Sequence, residues 1–221
     1  MPITTGSLSM RVWRVSESLP ADFRQTIERN LRRHAFRPID VERGEMQSLG
    51  WVNLRQLLDT KLTVEKALVR NYVLLALRVD RLAINQKLFR ATLAREMVAK
   101  LRERDGRKLS REERLVLEDQ VRMDLIKRTQ PVTTVHEMAW NLETGLVFFT
   151  ATAQRMNMAF ADLFAETFQV VLEPRFPFLR AQDYARRQGQ EEHLLELLPA
   201  PFSPLAPVEV VEHLPEENGT A

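Results

Sequence analysis

The amino-acid sequence predicts an α+β fold: an antiparallel or mixed sheet with packed helices and a protruding long helical hairpin. Three observations carry that expectation. Stretches of alternating or near-continuous apolar character are interleaved with stretches of helical period. Turn signals fall between them, at Asp105-Gly106 and at Glu143-Thr144-Gly145. The 221 residues, 44% hydrophobic and 28% charged, suffice for a buried core and match an ordinary globular composition.

The first element is SMRVWRVS, residues 9–16, where Met10 and Val12 alternate with Arg11 and Arg14 as in a half-buried strand. Ser18 or Pro20 then opens a helix in which Phe23, Ile27 and Leu31 recur every fourth residue. Arg24, Arg29, Arg32 and Arg33 lie off that stripe. Pro38 forbids further helix, so FRPIDV reads as extended. Trp51 follows Gly50, and a short amphipathic turn or helix is expected to about Leu58. NYVLLALRVDRLAI, residues 71–84, reads as a central strand.

From Asn85 the period becomes helical, with Leu88, Phe89, Leu93, Met97 and Leu101 forming the stripe. Gly106 suits the left-handed position that closes such a helix. Ser110 to Glu113 has capping-box spacing and starts a second helix, whose stripe is Leu117, Val121 and Leu125. Arg114, Glu118 and Arg122 form a charge ladder on another face, and Pro131 ends the element. The two helices make a hairpin over about residues 86–129. Residues 132–151 read as two strands, 153–168 as a helix packing Met156, Phe160, Leu163, Phe164 and Phe168, and QVVLEPRF as a last strand. The predicted order is β-α-β-β-αα-β-β-α-β over residues 1–180, followed at 181–221 by an acidic, proline-rich tail, partly helical and then disordered.

Charge divides the same way. Residues 181–221 carry a net −6, so the rest carries +8 of the overall +2. The hairpin region 86–128 is +5, and residues 11–43 are +3. A basic body points to a polyanionic partner, and backbone contacts to DNA need basic groups spread over a face. Such Arg/Glu-rich helices are also the ordinary solvated faces of soluble proteins. Aromatic residues do not interleave with these basic stretches, which weakens a single-strand stacking platform.

Catalytic chemistry has little support. With no cysteine, thiolate catalysis, thiolate metal sites and disulfides are excluded. Neither phosphate-binding glycine pattern occurs among the seven glycines. His34, His136, His193 and His213 are scattered, and Glu112-Glu113 fits helix capping better than acid–base work. A nuclease would need a carboxylate cluster for metal ions, which the sequence does not display. There is no long apolar run and no basic-then-apolar leader, so neither a membrane span nor a secretory signal is expected, and a cytoplasmic setting is.

Several segments in order resemble the recombination-associated RdgC family: HAFRPID, SLGWVNLRQLLDT, YVLLALRVDRLAI, RKLSREERLVLEDQVRMDLIKRT and VHEMAWNLETGLVFFTATA, over about residues 8–176. The resemblance implies a non-enzymatic, sequence-independent binder of double-stranded DNA, nucleoid-associated, dimeric and restraining RecA, with no cofactor or metal. Members of that family form rings that enclose duplex DNA. They run on into a further folded region where this sequence has its acidic tail. The expected phosphate contacts, chosen by charge and placement, are Arg95, Lys100, Arg102, Arg104, Arg107, Lys108 and Arg111 on the hairpin and Arg29, Arg32 and Arg33 on the first helix. The competing expectation is an assembly module that uses the hairpin and acidic tail without touching DNA.

Overall fold

The computed structural model describes residues 8–17, 19 and 22–196, leaving out the side chains of Arg24, Gln25, His193 and Leu195. The helix start expected at Ser18 or Pro20 and the tail beyond residue 196 lie outside the described residues. The strands are β1 (Arg11–Arg14), β2 (Gln47–Asn53), β3 (Leu68–Val69), β4 (Tyr72–Arg81), β5 (Val132–Asn141), β6 (Leu146–Phe149) and β7 (Glu173–Pro174). They form a single seven-stranded sheet in the order β2-β4-β5-β6-β1-β7, with β3 also pairing β4, and every ladder is antiparallel. The α+β expectation therefore holds, with the antiparallel alternative realised.

One face of the sheet is covered by α1 (Phe23–Arg33) and α5 (Gln154–Phe168). The spacing by four in α1 does what it suggested: Phe23, Ile27 and Leu31 are all buried. Val73, Leu75, Leu77 and Val79 of β4 point to this side, as period two requires. An aromatic layer fills the gap. Phe149 of β6 stacks on Phe160 of α5 with ring centroids 3.8 Å apart, and Trp140 meets Phe164 edge-on at 5.1 Å. The indole N–H of Trp51 donates to the Thr167 hydroxyl at 2.8 Å, which itself donates to the Leu163 carbonyl at 2.7 Å.

The opposite face holds a smaller cluster of Phe36, Val52, Leu54 and Ala76. Its polar members are paired. Asp80, 2% exposed, accepts two bonds from the Arg78 guanidinium at 2.9 and 2.8 Å and one from the Thr133 hydroxyl at 2.8 Å. Burial pushes the Asp80 carboxyl up, but those hydrogen bonds and the Arg78 charge outweigh it and leave it below the usual range. The same guanidinium lies 4.3 Å from the Phe36 ring centroid.

Of the turn or helix expected after Trp51 to about Leu58, the turn is realised, with Asp59 N donating to Gln56 O at 2.9 Å, and the strand before it was not expected. Residues 47–53 form β2, and helix appears only as the single-turn α2 (Val64–Ala67). Trp51 and Val52 are adjacent yet both fully buried, because the sheet is covered on both faces at this point. That double coverage hid the alternation. The chain gets from α1 to the second face by running close alongside the outer edge of β2, where Ala35 forms a parallel bridge with Trp51. Phe36 N donates to Trp51 O at 2.9 Å, and Trp51 N donates to His34 O at 3.0 Å. A Cβ on Gly50 would sit 2.5 Å from Phe36 Cα, so only glycine allows that approach.

Of the last strand expected in QVVLEPRF, only Glu173–Pro174 pairs, against β1, while Val170 and Leu172 are buried beneath it. The chain divides into two compact units at Phe176–Pro177. In the second, α6 (Pro177–Gln188) and α7 (Glu191–Glu196) are joined through Gly189 at φ 67°, and Arg186 pairs with Glu191 at 2.6 Å.

Candidate nucleic-acid interface

Between β4 and β5 the chain leaves the sheet as α3 (Gln86–Glu103) and returns as α4 (Arg111–Arg128). Asn85 starts the first helix by accepting from the backbone N–H of Lys87 and Leu88. Phe89 and Leu93 of α3, with Met97 packed against them, meet Leu117, Val121 and Leu125 of α4. Leu88, placed on the inner stripe by the sequence reading, is 54% exposed, and Phe89 takes the inner position. With two adjacent apolar residues, the period alone could not choose between them. The two helices pack on each other and on little else, so the hairpin is an arm.

The tip is built from local grammar. Asp105 (φ 53°) and Gly106 (φ 83°) both take left-handed backbone, and Gly106 N donates to Leu101 O at 2.9 Å. Ser110 and Glu113 form the capping box in both directions, with bonds of 3.2 and 2.8 Å. Arg104 then reaches across the tip to Glu113 at 2.7 Å. The guanidinium beside it, followed by the Ser110 backbone N–H, holds the Glu113 carboxyl well below its ordinary 4.5, at about 2.

The expected phosphate contacts separate into two kinds. Arg104 is committed to Glu113, Lys100 to Glu103 at 2.9 Å, and Arg95 to its neighbour Glu96 at 3.0 Å. Arg102, Arg107, Lys108 and Arg111 are exposed and have no acidic partner among the described residues. Arg95 and Arg102 share the outward face of α3 with Ala91 and Val98, while Arg107, Lys108 and Arg111 surround the tip. On α1, Arg32 is bonded to Glu28, whereas Arg29 and Arg33 are exposed and unpaired among the described residues. The α1 group thus lies on the exposed side of a helix that packs on α5, and the hairpin group on the arm.

Sequence reasoning missed two arginines. Arg37, from the crossing segment, and Arg43, from a 3-10 turn at Val41–Arg43, line one cavity with Arg33 at the β2 edge. The available signal was the Asp40-to-Gly44 turn, in which Asp40 accepts from the N–H groups of Glu42 and Arg43. Among the described residues no three His, Asp or Glu side chains gather as a metal site, and no helix is long and apolar enough to cross a membrane.

The fold and this surface define an α+β protein whose antiparallel sheet carries a basic two-helix arm. The chain belongs to the RdgC family: the family model described as "Putative exonuclease, RdgC" matches residues 9–181. No curated protein matches the sequence.

Proposed function

We propose that this protein binds double-stranded DNA without regard to sequence, catalyses no reaction, and acts in RecA-dependent recombination, as a homodimer associated with the nucleoid. The observation that supports this best is the imbalance at the arm's tip. Glu113 is spent on capping and on Arg104 and Glu103 on Lys100, which leaves Arg102, Arg107, Lys108 and Arg111 exposed and unpaired among the described residues against only two unpaired acids, Asp105 and Glu112. Each phosphate neutralised releases counterions, so affinity for unrelated duplexes should fall with salt on one common slope. Fluorescence anisotropy with two unrelated labelled duplexes tests it. No binding at low salt removes the reading. Degradation of the duplex on addition of Mg²⁺ would instead favour the exonuclease named in the family description.

A second reading, assembly through the arm, is favoured by its outer faces. α3 exposes Leu88 and Val98 among Lys87, Arg95 and Arg102. One side of α4 exposes Val116 and Met123 among Glu112, Asp119 and Asp124, while Leu115 is exposed one turn from Arg111. Apolar residues set in opposite charge on the two helices suit packing of two arms. Solution mass with and without duplex separates the readings: a dimer that ignores duplex favours assembly alone.

A further inference from the structure

We propose that the cavity beside the edge strand β2 is a phosphate-binding site, in which Arg33 and Arg37 grip one phosphate of a nucleic-acid backbone. The inference rests on the DNA-binding reading above and gives it a second anchor away from the arm's tip. The cavity measures about 440 Å³, and its basic residues come from three successive segments: Arg33 from the last turn of α1, Arg37 from the crossing, and Arg43 from the 3-10 turn.

Its acids are already engaged. Asp40 accepts from two backbone N–H groups and pairs with Arg43 at 3.2 Å, and Glu45 accepts from the Asp40 backbone N–H at 3.0 Å. Arg33 and Arg37 have no carboxylate partner among the described residues. The carbonyl end of α1 carries partial negative charge near Arg33, and Arg32 and Arg33 offset it. Two planar guanidinium groups lining one cavity suit the forked recognition of phosphate oxygens better than point charges would.

Position supports a backbone phosphate. Gln47 at the start of β2 is in register with Arg81, and Arg81 with Val132, so this end of β2 lies at the sheet end from which the arm springs. Leu82 N donates to Met46 O at 2.9 Å, joining the two segments directly. One basic end of the sheet thus links the α1 arginines to the arm.

The test uses the full chain. Melting temperature is measured in inorganic phosphate and in chloride at equal ionic strength, and duplex affinity is measured across a salt series. Phosphate should raise the melting temperature of the wild type but not of Arg33→Ala/Arg37→Ala. That variant should also lose about one from the slope of log affinity against log salt. Arg33→Lys/Arg37→Lys, which keeps charge but not the fork, should recover only part of the phosphate effect. A phosphate effect that is absent, or equal in wild type and alanine variant, overturns the site. A phosphate effect lost in the variant with duplex binding unchanged overturns the nucleic-acid source and leaves a small-anion site. If the wild type binds no duplex, the proposed function fails, while the phosphate measurement still decides the cavity.

Discussion

At the residue scale, single side chains hold the tip and the crossing. Glu113 illustrates the first. Because its carboxyl is depressed from 4.5 to about 2, its stabilising effect is complete above the ordinary value and is lost as pH falls toward 2. Glu113→Gln should therefore flatten the fall of melting temperature between those pH values relative to wild type; identical profiles would place the shift elsewhere. Ser110→Ala, which removes the cap, should cost about 1 kcal/mol in denaturant unfolding. At the crossing, Gly50→Ala drives a Cβ into the Phe36 backbone, where no flexible side chain can yield. A loss of about 1–3 kcal/mol is expected in the same measurement. Phe160→Ala, which opens the stack on Phe149 in the fully buried layer, should cost about 3–5 kcal/mol.

At the scale of elements, the arm is an insertion in a strand connection. Arg81 of β4 and Val132 of β5 face each other across the ladder, so the sheet is already in register where the arm begins. Replacing residues 84–129 with a two-residue Asn-Gly turn should leave the buried tryptophans in their native near-ultraviolet environment and abolish tight duplex binding. Retained binding would move the interface to the body. Much of this scale was legible in the sequence. The capping box, the Asp105-Gly106 stop, the Glu143-Thr144-Gly145 turn and the α5 stripe are local signals, and each sits where it was expected. What stayed hidden depended on tertiary context. β2 is covered on both faces, so Trp51 and Val52 break the alternation that marks a strand, and β7 is too short to show a pattern. The candidate site divides the same way. The arm's basic run is contiguous in sequence, whereas Arg33, Arg37 and Arg43 meet only because the chain folds back alongside Gly50.

At the scale of the whole molecule, charge is the governing quantity. Residues 1–180 carry +8 and residues 181–221 carry −6, so under the proposed DNA binding the acidic segment would compete with DNA for the basic body. Removing residues 181–221 should tighten duplex binding at low salt, with the gain shrinking as salt screens the acids. Unchanged affinity at every salt concentration would exclude competition by that segment.

The place of β1 has a consequence for the time course of folding. This strand, first in sequence among the described ones, is the inner partner of two later strands: Arg11–Arg14 pairs with Leu146–Phe149 on one side and with Glu173–Pro174 on the other. During synthesis it must therefore wait, unpaired, until residues 146–149 and 173–174 have emerged. The β4–β5–β6 meander can form from neighbours in sequence, but closing the sheet around β1 joins residues 11–14 to residues 146–149 and 173–174, long-range contacts of the kind that slow folding. Until β1 pairs with it the edge of β6 stands open, so the protein is most prone to aggregate just before β1 docks.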